Sequence, residues 1–176
     1  MLVEIKVQSL GLDRRTNTPV VILQETDGDR VLPIWIGPGE ASAIATQLAQ
    51  MTFARPLTHD LLVSVLGGLG GALQKVIINR VEDQTYYAEM VIQRNGEMIT
   101  VDARPSDSIA VALRTKAKMF AQDGLLERAV VEIAEDQTVE VQIPPGQEES
   151  PVQMDPEQLK EHLRRLNPED FGRFTP

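Results

Sequence analysis

Cysteine is missing from all 176 residues of the chain. Its absence excludes a disulfide framework, a thiolate-held zinc and a cysteine nucleophile. Long apolar runs are missing too. No stretch approaches the roughly 18 residues that a membrane-spanning helix needs, so no membrane partner is expected. The start, MLVEIKVQSLGLDRR, sets Glu4 and Lys6 inside its apolar stretch. It lacks the basic opening and unbroken apolar core of a secretory leader, and a cytoplasmic protein is the expectation. Positive charge is scarce: 17 basic against 26 acidic side chains give a net charge of −9. Phosphate contacts normally need a basic surface. Binding RNA or DNA by bulk electrostatics is therefore disfavoured, which leaves only a small local site open. The acidity is spread along the chain, with 13 basic and 19 acidic side chains in residues 1–146 and 4 and 7 in residues 147–176. Apolar side chains make up 42%, enough for a packed core, and the length suits one domain with a short appendage.

The chain opens with three β-branched apolar runs, at residues 2–12, 20–25 and 30–36. Val3, Ile5 and Val7 alternate with Glu4 and Lys6, the period of a half-buried strand. Thr26-Asp27-Gly28-Asp29 predicts a hairpin turn, because Asp-Gly tolerates positive φ. Pro38 suits the first position of a helix, where its missing N–H costs nothing. Ala41, Ile44, Ala45 and Leu48 continue that helix. A second helix is predicted from Thr58, whose hydroxyl can cap it, with Asp60 in the first turn. Leu61, Leu62, Val65, Leu66 and Leu69 are expected to form its buried face. Gly67-Gly68 and Gly70-Gly71 read as its stop and turn.

Strands follow at residues 73–81, 86–93 and 97–103, the last two joined at Asn95-Gly96. Arg104-Pro105-Ser106-Asp107 then opens a helix carrying Ile109, Ala112 and Leu113. A weaker helix is predicted near residues 124–129 and a last strand at 130–133. An offset of 67 lays Pro38 on Pro105, Glu40 on Asp107, Ile34 on Val101 and Ile44 on Val111. Both halves thus read β-β-β-α-α. The expected fold class is α+β, a single domain built from a duplicated β3α2 unit around one core, with a C-terminal helical tail. Its bounds are residues 1–143 for the domain, 144–154 for a Pro/Glu-rich linker, and 155–176 for a docking helix and tail. In that tail Leu159, Leu163 and Leu166 form one apolar stripe, too little to stand alone.

Two segments concentrate unlike functional groups: Arg55-Pro56-Leu57-Thr58-His59-Asp60 and Asp102-Ala103-Arg104-Pro105-Ser106-Asp107. Cleaving a phosphodiester requires offsetting phosphate charge, activating water and, often, a carboxylate-held metal. The candidate catalytic residues are therefore His59, Asp60, Asp102, Arg104 and Asp107. Glu40 and Asp107, the matched acids, are the candidate metal ligands, for Mg²⁺ or Mn²⁺. Each aspartate also has a structural reading, as a helix-dipole acid or an arginine partner. Glu40 and Asp107 on one groove form either a metal site or an arginine–carboxylate lock, with Arg104 as the lock. His162, in the tail helix, is expected to be solvated. Trp35, on an apolar strand, is expected in the core rather than as a base-stacking platform. Tyr86 and Tyr87 point to opposite faces of their strand.

These motifs, with Leu32-Pro33-Ile34-Trp35-Ile36-Gly37, Glu40-Ala41 and Tyr86-Tyr87-Ala88, resemble the bifunctional nuclease domain family over about residues 1–135. The resemblance implies an α+β fold with a duplicated unit and a dimer or larger oligomer. It also implies nuclease activity on RNA and DNA, attributed mainly to plant members. It places Glu40, His59, Asp60, Asp102, Arg104 and Asp107 within matched motifs. The expected function is hydrolysis of phosphodiester bonds in RNA and DNA by a homodimer. The alternative is a non-catalytic regulatory or assembly domain, which the acidic surface and the docking helix favour.

Overall fold

A computed structural model describes residues 1–13 and 16–126. The predicted linker, the tail helix with His162, and the strand at 130–133 lie outside the described residues. Within them the elements run β1 (Leu2–Leu12), β2 (Pro19–Glu25), β3 (Val31–Trp35), α1 (Pro38–Leu48), α2 (Thr58–Gly68) and β4 (Gly71–Glu82). They continue with β5 (Thr85–Arg94), β6 (Glu97–Ala103), α3 (Pro105–Thr115) and β7 (Lys118–Gln122). Residues 123–126 are again helical. All seven strands form one sheet in the order β3-β2-β1-β7-β4-β5-β6, an α+β arrangement. Only the β4–β7 pair is parallel.

The turns follow from local chemistry. Asn95 and Gly96, at φ 51° and 83°, make the two-residue loop between β5 and β6. Asp83 and Gln84, at 46° and 62°, do the same between β4 and β5 without a glycine. Positive φ at both positions matches the twist of the flanking strands. At Gly71 the approach is close for another reason: a Cβ there would stand 2.7 Å from Leu66 Cδ1 and would push that side chain aside.

One core joins all these elements except β6, whose residues are exposed up to the half-buried Ala103. Register sets Val21 beside Ile34, Leu23 beside Leu32, Val76 beside Met119 and Ile78 beside Ala121. These residues share a single cluster with Ile44 of α1 and Ile109 of α3, both wholly buried. Emptying such a position costs about 2–5 kcal/mol, because the cavity left behind does not close fully. The topology lays β1-β2-β3-α1 and β4-β5-β6-α3 in the same order, with Pro38 and Pro105 each in the first turn of its helix.

Three expectations need correcting. After α3 the chain forms a strand rather than a second helix directly, so the second half does not read β-β-β-α-α. β7 inserts between β1 and β4 and buries Met119 and Ala121. Its five residues are too short for a periodic signal, and its pairing is entirely long-range. Thr58 does not cap α2: Leu57 is the N-cap, and its N–H donates to the Asp60 carboxylate at 2.9 Å. The face of α2 expected to be buried is mostly open, with Leu61, Leu62, Val65 and Leu69 all exposed. Of that face Leu66 does pack against the core, and Val63 joins it there. This helix is apolar nearly all round, so periodicity could not choose its inward side.

Candidate functional site

β3 and β6 stand at opposite edges of the sheet. Residues that follow them, Gly37 and Glu40 after β3 and Arg104, Pro105 and Ser106 after β6, nevertheless line one groove. The sheet therefore twists enough to bring the starts of α1 and α3 together. Arg104 holds them there. Its NH1 lies 2.9 Å from Glu40 Oε1, and its Nε donates to Asp107 Oδ2 at 2.7 Å. Glu40 and Asp107 occupy the first turns of α1 and α3. Glu40 folds back over Gly37, where a Cβ would collide with its carboxylate.

The start of α2 completes the cluster. His59 Nε2 lies 3.1 Å from Asp107 Oδ1. Burial raises the Asp107 pKa, but the hydrogen bonds and charges of Arg104 and His59 outweigh that, and the net shift is downward. Asp107 is therefore an ionised acceptor at neutral pH. An ionised carboxylate can only accept, so His59 donates its Nε2–H to Asp107 and Nδ1 is the ring nitrogen left over. The hydrogen bond to Asp107, with its charge contacts to Asp107 and Glu40, holds the Arg104 guanidinium firmly charged. The sequence thus runs Glu40, Arg104, Asp107, His59 in one chain of contacts, with Arg104 largely exposed and His59 mostly covered.

Asp60 and Asp102 do not join this chain. Asp60 accepts from Leu57 N–H through Oδ2 and from Arg114 Nε through Oδ1 at 2.6 Å. The backbone N–H of Leu57 and then Arg114 draw its pKa down. Asp102 is exposed on β6 opposite Glu89. The alternation of the strand turns it away from Ala103, whose partner Ala88 lies under the helices. Arg104 engages Glu40 Oε1 and Asp107 Oδ2, and His59 engages Asp107 Oδ1, so the two candidate metal ligands meet an arginine and a histidine here. Among the described residues no group of three ligating side chains gathers.

Two features escaped the sequence reading. Arg114 is nearly buried and also donates from NH1 to the carbonyls of Ala43 and Ala110, tying all three helices together. A signal was present: Asp107 and Arg114 are seven residues apart and share a helix face, so neighbouring His59 and Asp60 engage one each. Trp35 is not core. It is 47% exposed, and its Nε1 donates to Asp13 Oδ2 at 3.1 Å. As the last residue of an edge strand it has a neighbouring strand on one side only, where it pairs with Val20 of β2.

Residues 21–134 match the bifunctional nuclease domain. The chain belongs to that family. An uncharacterized protein of Mycobacterium tuberculosis is 37% identical over 168 residues, 96% of this chain and 97% of its own length. Bifunctional nuclease 2 of Oryza sativa subsp. japonica is 29% identical over 113 residues, 62% of this chain and 35% of that protein. Bifunctional nuclease 1 of Arabidopsis thaliana is 24% identical over 102 residues, 56% of this chain and 31% of that protein. The plant proteins named as nucleases thus share only the domain, about a third of their length. Among the described residues of this family member, no helix is long and apolar enough to cross a membrane.

Proposed function

We propose that this bifunctional nuclease domain hydrolyses phosphodiester bonds in RNA and DNA at the cluster built on Arg104. The observation that carries the reading is the contact between His59 Nε2 and Asp107 Oδ1, with Arg104 on the other oxygen of the same carboxylate. Asp107 fixes the ring so that Nδ1 takes a proton from water. The water oxygen forms a bond to phosphorus as the P–O bond to the leaving sugar breaks. The leaving alkoxide takes its proton from solvent. Free N–H groups of Arg104 offset the charge that grows on the phosphate oxygens, the role arginine fills best because of its planar fork. Asp60 and Asp102 lie outside the reacting set in this reading.

The test is hydrolysis of a fluorogenic phosphodiester and of single-stranded RNA and DNA by highly purified protein. His59→Ala and Asp107→Asn are each expected to lower the rate about 10²–10⁴-fold, the usual weight of a general base. Cleavage that persists unchanged in both variants would reject the site.

A specific observation favours an assembly role as the second reading. The outer face of α2 and the edge strand β6 leave Leu62, Val65, Leu69, Met98, Ile99 and Val101 exposed on a domain with an otherwise closed core. An unpaired strand edge invites pairing with a second copy, and a homodimer is part of this reading. Leu62→Glu then shifts the mass measured by light scattering towards about 20 kDa and changes stability by no more than ~0.5 kcal/mol, since the side chain is already solvated. A wild-type chain that stays monomeric at every concentration rules out the homodimer.

A further inference from the structure

The groove that holds Arg104 is also lined by residues that the proposed hydrolysis does not use. Its volume is about 300 Å³. Small-molecule pockets run from roughly 300 to 1,000 Å³, so this one suits a single flat ring and its substituents rather than a longer fragment. Trp35 and Tyr86 line it, and Gln84, Thr85, Glu40 and Arg104 supply the polar groups. Trp35 is well suited as a platform. Nearly half of it is exposed, and the hydrogen bond to Asp13 fixes how the indole lies. An exposed aromatic costs the fold little to lose, so packing does not explain its place. The polar groups offer both senses of hydrogen bond. A carboxylate accepts from an exocyclic amine or ring N–H, an amide does both, and a guanidinium donates. Nucleobases combine a π-face with such an edge.

We propose that this groove is a nucleobase subsite, in which one unstacked base of a single strand stacks on Trp35 and presents its edge to Glu40 and Gln84. The continuity with Arg104 then leads the adjoining phosphate towards Asp107 and His59. In that last respect the inference rests on the hydrolytic reading above. A paired base in a duplex cannot enter, so the subsite selects single-stranded substrate. It also answers the acidity of the chain: stacking supplies affinity where the surface charge of −9 works against a polyanion.

Trp35 is the only tryptophan in the chain, so its fluorescence reports the site directly. The experiment titrates the full-length protein at low salt with hexaadenylate, with an abasic hexamer of the same phosphate count, and with the hexaadenylate–polyuridylate duplex. Saturable quenching by the first alone is expected. By anisotropy of the labelled hexamer, Trp35→Ala is expected to weaken binding about 5- to 100-fold, the range for one lost stacking partner, while Trp35→Phe restores part of it. Circular dichroism checks that both variants fold. Equal quenching by the abasic strand or the duplex, no saturation up to ~1 mM, or unchanged affinity in Trp35→Ala each overturns the proposal. The hydrolytic reading fails separately. Base-dependent quenching without any cleavage leaves the subsite standing and removes the nuclease, whereas cleavage with a KM indifferent to Trp35→Ala does the reverse.

Discussion

Two arginines on α3 grip carboxylates, and they do so in opposite surroundings. Arg114, with a side chain 6% exposed, binds Asp60 and two backbone carbonyls. Arg104, 67% exposed, binds Asp107 and Glu40 and, among the described residues, reaches no backbone carbonyl. Both join α3 to its neighbours, and Asp60 and Asp107 both have lowered pKa values. The difference lies in solvent. A nearly buried guanidinium with all its acceptors in place cannot be removed without stranding them. An exposed pair is screened and contributes about 0–1 kcal/mol. Stability therefore accounts for Arg114 and Asp60 but not for Arg104. What the second cluster offers is accessible donors beside an oriented imidazole.

The comparison breaks most directly on stability. Arg114→Met is expected to cost about 2–3 kcal/mol, because it leaves Asp60 and two carbonyls without a charged donor. Over a domain of this size that lowers Tm by about 5–10 °C, read by calorimetry. Arg104→Ala is expected to cost under ~1 kcal/mol in the same measurement. Equal losses from the two variants would erase the distinction and make the Arg104 cluster a second structural clamp.

Acid sharpens the contrast next. Both aspartates have folded-state pKa values below their ordinary ones. Each therefore contributes stability that is fully present above the unfolded value, near pH ~4, and is lost as pH falls through the folded value. Wild-type Tm should fall more between about pH 5 and pH 2 than that of Asp60→Asn, which has already lost its share. Parallel curves for the two proteins would mean that Asp60 carries no linkage. The smallest effect concerns metal. With Glu40 Oε1 and both Asp107 oxygens engaged by Arg104 and His59, Mg²⁺ or Mn²⁺ should leave Tm unchanged within ~1 °C, since only binding to the folded state raises it. A rise in Tm that Asp107→Asn abolishes would restore the metal site in place of the arginine lock.

Much of this was legible in the chain itself. Strand periods of two, turn residues such as Asn95-Gly96, and Pro38 and Pro105 at helix starts define most elements, because they act through local backbone geometry. The motifs around His59 and Asp107 stood out because acids and bases gathered at helix starts. Trp35 was misplaced because apolar neighbours in a strand do not say whether that strand is an edge. The outer side of α2 was misjudged because a helix apolar on all sides has no preferred face.

The sequence by itself determined the α+β class, the order of elements through α3, and which segments carry reactive side chains. These depend on contacts between near neighbours, where chemistry and spacing suffice. Only the tertiary structure decided that β7 lies between β1 and β4, that Asp102 turns away from the cluster, and that Arg114 rather than Arg104 takes Asp60. Each of these is set by pairing between residues far apart in the chain, whose partners compete on equal terms until the sheet twists and the helices settle on it.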